Sequence, residues 1–178
     1  MAIDSRPLKI SLNISDMDRH YYQSHNFTLA MHPSETELRV MAKLIVFALN
    51  ADENLKPSKG LCDADSPDLI SEDYSGVINH WLSLGQLDPK WLKKASSKSE
   101  AVSLYAYGGN SVKPWWDKYQ KDFASLSKVS VWQLDETELT ATLPMFAKAI
   151  DLQLSIMDGE VHINSEEHHA VVKPIRLK

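Results

Sequence analysis

Val77-Ile78-Asn79-His80-Trp81-Leu82-Ser83-Leu84 runs through Gly85-Gln86 into Asp88-Pro89, and this stretch decides the architecture. Its first eight residues are rich in β-branched, aromatic and aliphatic side chains, which marks a strand. Alternation puts Val77, Asn79, Trp81 and Ser83 on one face and Ile78, His80, Leu82 and Leu84 on the other. Asp88 is a good helix cap and Pro89 suits the first helical position, so a helix starts almost at once and runs to about Ser97. Ala101 to Tyr107 is the next strand, closed by Gly108-Gly109. Val112 to Leu126 is a helix with Pro114 in its first turn, and Val129 to Leu134 is a strand again. Strands that alternate with helices in this way pair in parallel through crossovers.

Hairpins flank this centre. A short strand around Asp68 to Ser71 and the turn Asp73-Tyr74-Ser75-Gly76 lead into Val77. Lys9 to Ile14 alternates, and after the turn-like Asp16-Met17-Asp18-Arg19 a second extended segment spans His20 to Ala30. His32-Pro33-Ser34-Glu35-Thr36-Glu37 opens a helix, with Ser34 and Glu37 as the expected capping box. Leu38, Met41, Ile45 and Ala48 recur at helical spacing, and the helix ends near Ala51. Asn54 to Pro67 is polar and turn-rich. Asp135 is expected to cap a helix through about Ala149, with Glu138 at the matching position and Pro144 as an interior break. Asp151–Met157, Asp158-Gly159 and Glu160–Asn164 form the strongest short-range hairpin signal. Ala170 to Leu177 is read as an edge strand. The expected fold class is α/β in the mixed α+β sense: a mixed sheet flanked by helices, with N- and C-terminal hairpins, in one domain over residues 1–178.

The chain has 178 residues, 43% of them hydrophobic and 24% charged, which suits a globular protein with a substantial core. The net charge of -5 argues against a broad grip on nucleic acid, since such a grip needs clustered cations to displace counterions. Lys90, Lys93, Lys94 and Lys98 fall close together, as do Lys113, Lys118 and Lys121. They read first as solvated helix faces, with a local basic patch as the alternative. One cysteine, Cys62, excludes an internal disulfide and a cysteine zinc cluster. The N-terminal segment lacks the apolar run of a signal peptide, and no stretch is long enough to span a membrane. A cytoplasmic protein with no membrane partner is the expectation.

Asp68 and Ser83 lie on adjacent expected strands, and Glu35 stands near the start of the first long helix. A metal-dependent phosphodiesterase needs carboxylates that converge on Mg²⁺ or Mn²⁺; the ion polarises the phosphate and helps deprotonate water. Taken singly, Asp68 also reads as a turn residue and Glu35 as a first-turn acid.

The segments His32-Pro33-Ser34-Glu35-Thr36 with Arg39, Gly60-Leu61-Cys62, Pro67-Asp68, Gly76-Val77-Ile78 with Trp81-Leu82-Ser83-Leu84-Gly85, and Leu92-Lys93-Lys94-Ala95 together resemble the YaeQ family of small bacterial proteins. Val129-Ser130-Val131-Trp132 and Asp158-Gly159 extend the similarity over essentially the whole chain. The resemblance implies a restriction-endonuclease-like fold of the PD-(D/E)XK type. It also implies site residues: Glu35 as the helix acid and Asp68 as the aspartate of the motif, both metal ligands, and Gln86 where nucleases often place lysine. The family pattern usually has Glu where this chain has Ser83, a loss of one charged oxygen ligand. Two functions follow: a Mg²⁺- or Mn²⁺-dependent nuclease-like phosphodiesterase, towards which the reading leans, or a non-catalytic module that contacts nucleic acid or a regulatory protein.

Three further features have plainer readings. His168-His169 point to opposite strand faces and read as a solvent-facing loop rather than a metal site. Cys62 has no identifiable activating partner. Trp115-Trp116 with Tyr119 reads as a helix-to-sheet contact before it reads as a base-stacking platform.

Overall fold

The structure is a computed structural model and describes residues 4–58 and 64–178. Cys62 and the Gly60-Leu61-Cys62 motif lie outside the described residues. Among these residues the chain runs β1 (Arg6–Asp16), β2 (Tyr21–Met31), α1 (Glu37–Asn50), β3 (Leu55–Pro57), β4 (Leu69–Glu72) and β5 (Ile78–Leu84). It continues through α2 (Pro89–Ser96), β6 (Ser99–Ala106), α3 (Val112–Ala124), β7 (Val129–Gln133), α4 (Glu136–Thr140), β8 (Ala149–Met157), β9 (Glu160–Asn164), β10 (His169–Val172) and β11 (Ile175–Arg176). The mixed α+β class is what the sequence implies, but the strands divide between two sheets rather than one. They belong to two compact units, residues 1–50 with 137–174 and residues 51–136 with 175–178.

In the first unit the sheet order is β10-β9-β8-β1-β2. β1 pairs antiparallel with β2 and parallel with β8, with Leu12 opposite both His25 and Leu152. Period-two alternation buries Leu8, Ile10, Leu12 and Ile14 of β1 with Ile150, Leu152, Leu154 and Ile156 of β8. Each such side chain contributes about 1.5–3 kcal/mol. Helix α1 is buried at every residue from Val40 to Ala48. The β8–β9 hairpin turns at Asp158-Gly159 with both residues at positive φ, the geometry its sequence demands. Its two turn amides donate to Asp18 (2.8 and 2.9 Å), and these bonds hold the Asp18 carboxyl below its ordinary range.

In the second unit the order is β11-β7-β6-β5-β4-β3. β5, β6 and β7 pair in parallel, as the intervening helices require, and β4 pairs antiparallel with β5. Trp81, Leu92, Val102, Leu104, Val131, Trp115 and Phe123 form one core cluster, so the Trp81 face of β5 packs with α2 and α3 residues. Asp88 caps α2 by accepting from the Lys90 amide at 2.9 Å.

Some expectations are corrected. The helix expected over residues 135–149 is five residues long. A 3-10 turn spans Leu143–Met145 and Ala149 already begins β8. Pro144 has no N–H to donate and so cannot continue the helix begun at Glu136, which leaves Ile150, Leu152, Leu154 and Ile156 to alternate as a strand. The cap of α1 is Thr36, not Ser34: the Thr36 hydroxyl accepts from the Arg39 amide at 3.1 Å, and Ser34 bonds the His32 ring instead. The polar segment after α1 contains β3, paired with β4. The C-terminal tail supplies two short edge strands, β10 in the first sheet and β11 in the second.

Candidate functional site

Glu35 belongs to the first unit and Asp68, Ser83 and Gln86 to the second. Glu35 stands in the turn before α1, where its amide donates to the His32 carbonyl at 2.9 Å. Its side chain is buried, and Oε1 accepts from Lys43 Nζ at 2.6 Å. Oε2 accepts from the His32 amide at 3.4 Å, and Arg39 Nε lies 4.0 Å from Oε1. A carboxylate taken out of water requires such partners. One of its oxygens is therefore committed to an ammonium, which competes directly with a metal cation.

Asp68 immediately precedes β4. Its amide donates to the Leu82 carbonyl at 2.8 Å, and its Oδ2 accepts from the Leu84 amide at 2.8 Å. Asp68 is thus held against the backbone on either side of Ser83, its amide on Leu82 and its carboxylate on Leu84. Ser83 itself is 1% exposed. Its hydroxyl accepts from the Trp81 indole at 3.1 Å, and Trp81 is a member of the helix-side core. The strand's alternation dictates this: positions 81 and 83 share a face, and α2 and α3 side chains fill it.

Gln86 lies beyond the end of β5. Its Nε2 donates to the Tyr107 carbonyl at 3.1 Å and to Ser111 Oγ at 2.6 Å, while Ser111 donates to the Gly108 carbonyl at 2.8 Å. The amide braces the end of β5 against the turn after β6. Gly108 makes the brace possible. It sits at φ 133°, and a Cβ there would meet Gln86 Nε2 at 2.5 Å. Gly108→Ala is expected to cost about 1–3 kcal/mol, from the disfavoured backbone and the clash together. Urea denaturation measures it, and a neutral result would show that Gln86 is not a brace.

The donor set does not fit Mg²⁺ or Mn²⁺. These ions take hard oxygen ligands, chiefly carboxylates, with most of the remaining positions filled by water. Among the described residues no three His, Cys, Asp or Glu side chains are grouped to hold an ion. Asp68 is the only carboxylate of the second-unit set; Ser83 is a closed neutral hydroxyl, and the Gln86 NH₂ group is used in structure. His168 and His169 join no such group. The Trp115 indole donates to the Leu87 carbonyl at 3.0 Å, and Trp115 packs on Phe123, the structural contact that its spacing suggests.

Two arrangements escape the sequence reading. Lys43 is the partner of Glu35; the available signal is a lone lysine inside Met41-Ala42-Lys43-Leu44-Ile45, where a buried cation needs an anion. On the face of β5 opposite Ser83, His80 Nε2 bonds Ser103 Oγ at 2.8 Å, and Ser103 bonds Ser130 at 3.0 Å. Parallel register carries that row across three strands, and no local pattern announces it.

No helix among the described residues is long and apolar enough to cross a membrane. A family model described as YaeQ protein matches residues 1–174. The chain is 32% identical over 173 residues to "Uncharacterized protein YaeQ" of Escherichia coli (strain K12), covering 97% of this chain and 95% of that one. The Salmonella typhi protein of the same description is 32% identical over 174 residues, covering 97% and 96%. The crystal structure of YaeQ protein from Xanthomonas axonopodis pv. citri matches with a TM-score of 0.93 and 34% identity over 98% of both chains. That from Pseudomonas syringae matches with a TM-score of 0.92 and 30% identity, over 98% of this chain and 96% of that one. Family model, relatives and solved structures agree along nearly the full length, and the chain belongs to the YaeQ family.

Proposed function

We propose that this chain is a non-catalytic binding module on a frame related to the PD-(D/E)XK nucleases, contacting nucleic acid or a regulatory protein. One observation carries the reading. Ser83, where the resemblance implies Glu, is sealed at 1% exposure against the Trp81 indole. Asp68 therefore has no second carboxylate at residue 83, where packing encloses a neutral hydroxyl.

The competing reading is a metal-dependent phosphodiesterase of unknown substrate. Its support is the Asp68 carboxylate, held beside the Ser83–Leu84 backbone. Incubating the full chain with single- and double-stranded DNA and RNA in millimolar Mg²⁺ or Mn²⁺ separates the two. The module reading expects substrates to survive. Metal-dependent cleavage that disappears in Asp68→Ala would establish the enzyme instead.

A further inference from the structure

We propose that the outer face of α2 is a docking stripe for single-stranded nucleic acid; this rests on the module reading and names its partner. Pro89, Leu92 and Ala95 are the buried residues of α2. Lys90, Lys94 and Lys98 recur at every fourth position and so share a stripe on the other side. Ser97, which links Lys98 to the helix, keeps helical geometry. Successive cations along such a stripe stand about 6 Å apart, the scale of phosphate spacing on an extended strand.

The stripe has an aromatic centre. Lys90 Nζ lies 5.1 Å and Lys94 Nζ 5.8 Å from the centroid of the Trp91 ring, which is partly buried against the core cluster and keeps part of its surface open. Lys98 Nζ lies 6.0 Å from that of Trp81. The lysines therefore stand over indole rings, and Lys94 also meets an acid. Helix α2 has no acidic residue. Among the described residues only Lys94 of these cations, with Lys93 included, forms an ion pair, to Asp65 at 2.7 Å. Both partners of that pair are well exposed, and pairs of this kind exchange readily. Lys128 stands apart, since its ammonium binds the Ser96 and Ser99 carbonyls.

A polyanion with separable flat bases matches this surface. The lysines can leave the ring for phosphates, and the freed indole face can stack a base. A duplex keeps its bases stacked inside and offers no ring to Trp91. An acidic peptide would satisfy the lysines and leave the indole unused. The chain's net charge is no obstacle, because it sits mostly elsewhere. The first unit has seven Lys and Arg against eleven Asp and Glu, the second twelve against thirteen.

The test is fluorescence anisotropy of the full chain with labelled single-stranded T20 and U20 in EDTA, from low to moderate salt. The native chain should bind both more tightly than a duplex of equal length. The Lys90→Gln/Lys94→Gln/Lys98→Gln variant should weaken binding at least tenfold, with a log-log salt slope shallower by about two. Trp91→Ala should weaken it about fivefold or more with little change in slope, and native binding should quench a tryptophan signal that this variant lacks. Circular dichroism controls for folding. Native-like binding by both variants would overturn the surface assignment and leave the module reading standing. Absence of single-strand binding alongside capture of a polyglutamate peptide would overturn nucleic acid as the partner. Cleavage of T20 or U20 on adding Mg²⁺ would overturn the module reading, while the anisotropy in EDTA would still decide the stripe.

Discussion

Lys43→Ala is expected to lower unfolding free energy by about 3–5 kcal/mol, the range seen when one partner of a buried ion pair is removed. Lys43 and Glu35 are each 7% exposed and joined at 2.6 Å. Without the ammonium, the Glu35 carboxylate keeps a 3.4 Å contact to the His32 amide, with Arg39 Nε at 4.0 Å. Those contacts are too long to offset the lost hydration. The loss should fall mainly on this uncompensated charge. The double variant Glu35→Gln/Lys43→Met, which removes both charges, should therefore recover most of the native stability. Guanidinium denaturation monitored by circular dichroism reads both. A cost below about 1 kcal/mol for Lys43→Ala would mean that the pair is solvated and that Glu35 has an oxygen to spare for a cation.

Ser83→Glu should behave in the opposite way in the presence of metal. In metal-free buffer it forces a carboxylate into the space beside Trp81, where the indole N–H is the observed polar neighbour. A cost of about 3–5 kcal/mol follows from burying a charge without a counterion. Mn²⁺ would provide the counterion, with Asp68, just before the neighbouring strand β4, as the second carboxylate. At a concentration one hundred times its dissociation constant, it would return about 2.7 kcal/mol. The expected signature is a destabilised variant whose melting temperature climbs with Mn²⁺, beside a native chain that does not respond. A variant as stable as native without metal, or one that ignores Mn²⁺, would show that residue 83 does not face a latent metal position.

Much of the fold is readable because its signals are local and repeated. The Val77–Leu84 alternation, the Asp88-Pro89 helix start and the Asp158-Gly159 turn each specify their own geometry, and the structure contains all three. Pro144 shows the limit. The sequence offers both a capped helix from Asp135 and an alternating strand ending at Met157, and the boundary depends on pairing of β8 with β1, more than a hundred residues away. The partition into two sheets has the same origin, since the β1–β8 register leaves no trace in either segment alone. Of the site, the β4–β5 placement of Asp68 beside Ser83 follows from the hairpin. The engagement of Glu35 with Lys43 and of Gln86 with Tyr107 and Ser111 does not: the lone Lys43 in an apolar helix calls for an anion without saying which, and Tyr107 and Ser111 are marked by neither type nor spacing.

With Ser83 in the closed position, the β4–β5 hairpin is expected to hold no catalytic divalent cation. Calorimetric titration of the native chain with Mn²⁺, repeated with Asp68→Ala, tests this without any assumption about substrate. No saturable site below about millimolar in either protein is the predicted result. Stoichiometric binding by the native chain that vanishes in Asp68→Ala would contradict it, and would place a working metal centre on a single carboxylate.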